Sequence, residues 1–305
     1  MSDREEAVSI LWLGEEGCNA TDRVGGKAAH LSRLFAHTRV PPGFCVAASM
    51  DDLEGGSETD GPPPALAERI AASYAELCER TGHEDVPVAV RSSALDEDSA
   101  DSSFAGQHET FLNVSGADAV VDAVKHCWAS ARTERVLEYR RSRGLPPPRG
   151  PIPVLVQQLV MADASAVVFS VDPVTAERTH VVINVSWGLG ESVVAGSVNP
   201  DTHHVSRPGL EIVERHVASK QKMTVAVPGG TDEVEVPFVL RDAPAAEDEQ
   251  VVAMARAALE LEEHFGWPVD VECCWAEGRL YILQCRAVTA LARPDATKEE
   301  VPSGR

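Results

Sequence analysis

The sequence is short of positive charge: 27 lysines and arginines stand against 48 aspartates and glutamates, a formal net charge of −21. An acidic surface of this kind repels nucleic acid and anionic membranes, so neither is expected as a partner. Lysine is scarcest, with five residues at positions 27, 125, 220, 222 and 298. An anionic ligand must therefore meet a local cluster of cations or arrive with a metal. No run of about 18 apolar residues exists to span a bilayer. The acidic start, MSDREEAVSI, has no secretory hydrophobic stretch, so the expected location is the cytoplasm. The seven cysteines are an odd number with no Cys-x-x-Cys and one close pair, Cys273-Cys274, which excludes a disulfide framework and a zinc pattern. The P-loop spacing Gly-x-x-x-x-Gly-Lys-Ser/Thr is absent, and so is any internal repeat.

What is present is ordinary for a globular chain. It has 305 residues, 44% hydrophobic and 25% charged, enough for two domains or one large one. Short apolar runs predict strands at 8–13, 44–46, 86–90, 154–158, 165–171, 180–186 and 211–217. Helical periodicity predicts helices opening at Gly25-Gly26-Lys27 and running over 64–80, 117–142 and 247–265, the last closed by Gly266 and Pro268. Strands and helices interleaved in this order indicate α/β or α+β, with two lobes divided after the proline-rich stretch at 146–151.

The segment WPVDVECCWAEGRLYILQCR (267–286) carries the most chemistry. Two alternating runs flank a glycine turn and read as a β-hairpin. Asp270 and Glu272 share a face of the first strand, and Gln284 and Arg286 share a face of the second. A three-residue loop, Ala276-Glu277-Gly278, sets Asp270 opposite Gln284 and brings all four polar groups to one side. A two-residue loop pairs Glu272 with Leu283 and scatters them. Two carboxylates, an amide and a guanidinium are costly to bury unless they hold something. Carboxylate and amide oxygens suit Mg²⁺, and arginine suits phosphate. An exposed hairpin edge bearing charges satisfies the same spacing.

Other candidates are weaker singly. Lys27, after two glycines at a helix start, can bind phosphate, or it is a solvated lysine at a loop-to-helix junction. Arg91, at the end of an apolar strand, can face an anion in a cleft, or it pairs with Asp96, Glu97 or Asp98. The stretch 103–107, Ser-Phe-Ala-Gly-Gln, is a lid or an ordinary loop. The turn after Trp187 (Gly-Leu-Gly-Glu) reads as structural, and Gln157 reaches a nucleobase edge or is a sheet-edge amide. His203 and His204 are adjacent on a predicted strand, point to opposite faces and cannot readily chelate together.

In their order along the chain, these pieces resemble the nucleotide-binding domain of phosphoenolpyruvate synthases, pyruvate phosphate dikinases, rifampicin phosphotransferases and plant-type glucan water dikinases. The matching segments are VGGKAAHLSRL (24–34), VPPGFCV (40–46), VAVRSSALDEDSADSSFAGQHETFLNV (88–114), VLVQQLV (154–160), VVFSVDPVT (167–175), SWGLGESVVAGSVNPDTHHV (186–205) and the closing VDVECCW with LYILQCRAVT.

The resemblance implies an α+β, ATP-grasp-like fold whose two lobes, with mixed sheets and flanking helices, enclose an ATP cleft. The implied division is 1–178 and 179–291, followed by a disordered tail at 292–305. It further implies that Lys27 and Arg91 bind ATP phosphates and share in catalysis, that the loop ending at Gln107 covers the phosphates, and that Gln157 lies near the adenine. Glu272 and Gln284 would ligate Mg²⁺ with Asp270 beside them, and Arg286 would stabilise the phosphoryl group in transfer. The family's phosphohistidine motif and pyruvate-binding barrel have no counterpart here. The implied partners are thus ATP, a separately encoded phosphohistidine or substrate-domain protein, and a small-molecule acceptor. A free-standing small-molecule kinase and a non-catalytic nucleotide-binding module are the alternatives. Ala166 and Ala287 stand where the family has Gly and Pro.

Overall fold

In the computed structural model, residues 9–47, 61–94, 110–142 and 151–288 are described. The first part of the chain runs β1 (Ser9–Trp12), α1 (Thr21–Leu34), β2 (Gly43–Ala47), α2 (Pro64–Thr81), β3 (Val88–Ser92), β4 (Thr110–Val114), α3 (Ala117–Ser130), α4 (Glu134–Ser142) and β5 (Val154–Gln158). Its strands form one sheet in the order β1-β2-β5-β3-β4. The rest runs β6 (Ala164–Phe169), β7 (His180–Trp187), α5 (Glu191–Val194), β8 (Asp201–Ser206), β9 (Ile212–His216), β10 (Lys222–Val227), β11 (Gly230–Glu235), α6 (Phe238–Arg241), α7 (Asp248–Phe265), β12 (Val269–Ala276) and β13 (Arg279–Ala287). Here the sheet order is β13-β12-β6-β7-β8-β9, with β10 and β11 as a separate hairpin.

The expected α+β architecture is thus present. Two details differ from the sequence reading. Every ladder between the described strands is antiparallel, where mixed sheets were expected; alternation within a strand carries no information on the direction of its neighbour. The change of sheet falls between Gln158 and Ala164, whereas residue 178 lies between β6 and β7, two adjacent strands of one sheet. The proline-rich stretch marks the end of the helical layer, and β5 behind it still belongs to the first sheet.

Alternation decides which face is core. Val88 and Val90 of β3, Val154 and Val156 of β5 and Phe44 and Val46 of β2 pack under α2 and α3, against Ile70, Leu77, Val124 and Trp128. In the second sheet Val168, Ile183, Val185, Val271, Cys273 and Cys285 pack on α7 and α1. The opposite faces carry Ala89, Arg91 and Gln157 in the first sheet, and Val167, Asn184, Asp270, Glu272, Gln284 and Arg286 in the second. Those two faces meet across a cleft.

Local chemistry explains the helix ends. Gln250 Oε1 accepts the Glu247 N–H at 2.8 Å in a capping box that starts α7, and Gly266 (φ 77°) ends it. The helix predicted over 117–142 is two helices, broken between Ser130 and Glu134. There the Ser130 hydroxyl donates to Cys127 O (2.8 Å), and Thr133 supplies the carbonyl that receives Leu137 N–H (3.0 Å). Hydroxyl side chains that bond nearby backbone favour such a stop and restart. Among the described residues no helix is long and apolar enough to cross a membrane.

Lys220, Asp201 and His203 are among the polar side chains buried in the second half. Lys220 is wholly buried against Asp201, whose carboxylate also accepts the N–H groups of Ala218 (2.9 Å) and Ala245 (2.7 Å). His203 is buried on β8 between Ile183 and Arg215, and neither ring nitrogen has a hydrogen-bond partner among the described residues. Burial, helped by the Arg215 charge, holds its pKa below the ordinary 6.5. Its neutral form is therefore the folded form, and the unfolded chain binds the extra proton. His203 stabilises fully above pH 6.5 and loses that contribution as pH falls below it. Urea midpoints measured across this range should fall less steeply towards acid for His203→Leu than for the parent, a difference that removes the background of the acidic chain.

Candidate functional site

The hairpin of β12 and β13 is built differently from the sequence expectation but reaches the same result. Its loop has two residues, Glu277 (φ 52°) and Gly278 (φ 71°), and pairs Ala276 with Arg279. Positive φ at both positions is the type I′ turn that suits strand twist. That register alone would scatter the polar groups. A β-bulge at Leu283 restores them: Ile282 pairs with Cys273, Leu283 is the extra residue, and Gln284 then faces Glu272 and Arg286 faces Asp270. Bulges commonly re-aim side chains in this way beside functional sites.

The first sheet delivers the other cations. Gly25 interrupts α1 with φ 75° and ψ 174°, so the regular helix begins at Gly26-Lys27, where the glycine pattern had predicted it to open. Its missing side chain lets the backbone meet the end of β3: a Cβ at Gly25 would lie 1.5 Å from Ser93 O. The contact is fixed by Ala28 N–H donating to Ser93 Oγ (3.1 Å) and Lys27 Nζ donating to Ser92 O (3.2 Å). Lys27 and Arg91, 64 residues apart in sequence, are thereby neighbours.

One cavity of 520 Å³ is lined by Lys27, Arg91 and Gln157 from the first sheet's side and by Glu272, Gln284 and Arg286 from the hairpin. Its remaining wall is largely apolar, from Leu112, Leu159, Val160, Ala162, Leu189 and Val194. Asp270 lines an adjoining 340 Å³ cavity, which shares Glu272 and Arg286 with the first and also holds Asn184 and Phe169. Gln107 and its loop lie outside the described residues, as does the tail at 292–305. The sequence reading missed the apolar wall and Glu191, which also lines the cleft. The signal for Glu191 was the strand-turn-helix run from Trp187, which reads as structural in the sequence.

Charges within the cleft are tightly tied. Arg91 Nη2 donates to Gln284 Oε1 at 2.6 Å and to Glu272 Oε2 at 3.2 Å, and its Nη1 donates to Leu283 O, the carbonyl of the bulge, at 3.3 Å. Arg286 Nε donates to Asp270 Oδ2 at 2.8 Å, and Nη2 forms an ion pair with the same oxygen at 2.8 Å. Among the described residues Asp270 Oδ1 is buried with no hydrogen-bond partner. Burial pushes the Asp270 carboxyl above its ordinary range, opposed by Arg286. His30, one turn beyond Lys27 on α1, donates from Nδ1 to Cys285 O at 3.0 Å and so ties that helix to the strand carrying Gln284 and Arg286. The oxygens of Glu272 and Gln284, with the orphaned Asp270 Oδ1 nearby, make an all-oxygen donor set that fits a hard divalent cation. Gln157 is buried and donates Nε2 to Pro41 O (3.1 Å).

A cleft between two sheets, with a lysine and two arginines set against carboxylate and amide oxygens, defines a binder of polyanionic ligands. The family model for the pyruvate phosphate dikinase, AMP/ATP-binding domain, matches residues 58–303. The phosphoenolpyruvate synthase of Pyrococcus furiosus is 43% identical over 95% of this chain and 45% of its own length. A probable phosphoenolpyruvate synthase of Methanocaldococcus jannaschii is 36% identical over 95% of this chain and 27% of its own. The rifampicin phosphotransferase of Streptomyces sviceus is 36% identical over 88% of this chain and 34% of its own. The chain belongs to the pyruvate phosphate dikinase AMP/ATP-binding domain family. It spans less than half the length of each of these relatives.

Proposed function

We propose that this chain binds Mg-ATP in the cleft between its two sheets and donates a phosphoryl group from it, as the nucleotide-binding part of a phosphoenolpyruvate synthase-like or dikinase-like phosphotransferase. The carrying observation is convergence: Lys27, Arg91, Gln157, Glu272, Gln284 and Arg286, from five separate strands and helices, line one cavity. A volume of 520 Å³ lies within the usual range of small-ligand sites. The lobes of this ATP-grasp-like reading are the two sheets, divided between β5 and β6.

Phosphoryl transfer asks a protein for alignment and for cations where negative charge gathers, more than for covalent chemistry. Lys27 and Arg91 bind phosphate oxygens. Glu272 and Gln284 would hold Mg²⁺, which would supply positive charge to screen the nucleotide phosphates. Arg286, held in position by Asp270, neutralises charge on the group in transfer. Leu112, Leu159, Val160 and Leu189 give the base an apolar slot, closed at its inner end by Gln157. The adjoining cavity meets the first at Glu272 and Arg286, and the acceptor approaches there. In this reading the acceptor is a histidine on another domain or chain, acting in the cytoplasm.

Calorimetry should show ATP binding that weakens at least about 10-fold when Mg²⁺ is chelated. Nucleotide product analysis with candidate histidine-domain partners should yield AMP, one phosphate and one phosphoryl group on the acceptor histidine for each ATP consumed. ADP would instead support a direct kinase. Tight ATP binding without turnover under any partner condition overturns the catalytic reading and leaves a binding module.

A further inference from the structure

Arg91 sits on the first sheet, yet its described hydrogen bonds all cross the cleft to the second. A single nitrogen, Nη2, bridges Gln284 Oε1 (2.6 Å) and Glu272 Oε2 (3.2 Å). That is the position between two hard oxygen donors that a cation would take. Nη1 adds the bulge carbonyl of Leu283 at 3.3 Å, and Nε has no hydrogen-bond partner among the described residues. We propose that Arg91 is a latch across the cleft that competes with the divalent cation for Glu272 and Gln284, and that nucleotide phosphate releases it. The proposal rests on the phosphoryl-transfer reading and adds an order of loading to it.

Charge balance carries the argument further. Asp270 and Glu272 contribute two negative charges, and Arg91 and Arg286 contribute two positive ones, all in side chains at most 22% exposed. The cluster is neutral as it stands. A bare divalent cation would add two positive charges beside two guanidinium groups and take the oxygens that Arg91 uses. Mg-ATP instead brings net negative charge with the metal. Arg91 can then exchange carboxylate and amide oxygens for phosphate oxygens, which its planar fork suits. Metal and nucleotide thereby load together, and the coupling is reciprocal. Release of Arg91 also removes ties between the two sheets, so loading loosens one side of the cleft as it fills it.

Two substitutions at Arg91 test this with Mn²⁺ alone, titrated without nucleotide and followed by electron paramagnetic resonance. Arg91→Met keeps the aliphatic stem and removes the guanidinium. It should bind Mn²⁺ at least about 10-fold tighter than the parent while binding Mg-ATP at least about 10-fold more weakly. The opposite signs are the signature, since a merely structural arginine would weaken both. Arg91→Lys, a point charge in place of a fork, should fall between on Mn²⁺, and it gives the same test if Arg91→Met fails to fold. Adding Glu272→Gln to Arg91→Met should return Mn²⁺ affinity to the parental value or below. Mn²⁺ binding that is unchanged or weaker in both Arg91 variants overturns the latch. If the parent binds no nucleotide while the Arg91 variants still gain Mn²⁺, the competition stands and the phosphoryl-transfer reading falls.

Discussion

Replacing Arg286 by alanine should lower turnover by about 10³-fold or more while leaving Mg-ATP affinity within a few-fold of the parent, the pattern of an arginine that acts on transition-state charge. The expectation follows from where Arg286 is held. Both Nε and Nη2 go to one oxygen, Asp270 Oδ2, at 2.8 Å, so the carboxylate fixes the guanidinium plane. The side chain lines both the main cavity and its neighbour, the border at which a group leaving ATP would pass to an acceptor. In the proposed reading Lys27 and Arg91 would remain to bind the nucleotide's phosphate oxygens. Product formation in single turnover and nucleotide affinity by calorimetry separate the two effects. Asp270→Asn should reproduce part of the turnover defect, because an amide can still accept from Arg286 but no longer pairs with its charge. If Arg286→Ala lost binding and turnover equally, Arg286 would be a ground-state binding residue and the assigned role would be wrong.

The site was more legible than the path to it. Asp270, Glu272, Gln284 and Arg286 were expected on one face, and they are. The expected mechanism was a three-residue loop; the molecule uses a two-residue type I′ turn and a bulge at Leu283. Turn and bulge each change parity once, so the sequence pattern fixes the face of the four residues without fixing how the strands register. Helix starts were readable where local chemistry sets them, as at Gly25 and Glu247. The break after Ser130 was not, because apolar spacing continues across it through Val136 and only hydroxyl-to-backbone bonds divide the helices. Strands β10 and β11 were passed over for a related reason: they are held by contacts distant in sequence, with Asn113 Nδ2 on β4 donating to the backbone carbonyls Val227 O (2.6 Å) and Gly230 O (2.9 Å) at their hairpin turn. The apolar wall around Leu112, Leu159 and Leu189 has no chemical signature of its own, and it emerges only when two sheets face each other.

Gly25→Ala should be the most damaging single methyl group added to this chain. Two independent costs meet at the position. Its backbone, φ 75° and ψ 174°, lies in a region that is essentially glycine's alone, and forcing another residue there costs about 1–3 kcal/mol. The added Cβ would fall 1.5 Å from Ser93 O and 2.4 Å from Ser93 C, which are backbone atoms and cannot rotate away. Overpacking of this kind costs about 1–3 kcal/mol more. The total, roughly 2–6 kcal/mol, is a large part of the stability of an ordinary domain. The consequence for function is specific, because the junction that would be pushed apart joins Lys27 to the strand of Arg91. Relief requires the start of α1 to move off β3, which breaks Ala28 N–H to Ser93 Oγ and Lys27 Nζ to Ser92 O. Thermal or urea unfolding should therefore show a clear loss. Any folded Gly25→Ala protein should bind Mg-ATP more weakly, with Mn²⁺ binding at Glu272 and Gln284 changed far less. Gly278→Ala offers the contrast: it too has positive φ (71°), but none of the described residues beyond its chain neighbours lies within 4 Å of its added Cβ. Only the conformational cost of about 1–2 kcal/mol should remain there, with nucleotide binding intact. Equal loss in the two variants would mean that the close approach of Gly25 to Ser93 contributes nothing beyond backbone conformation.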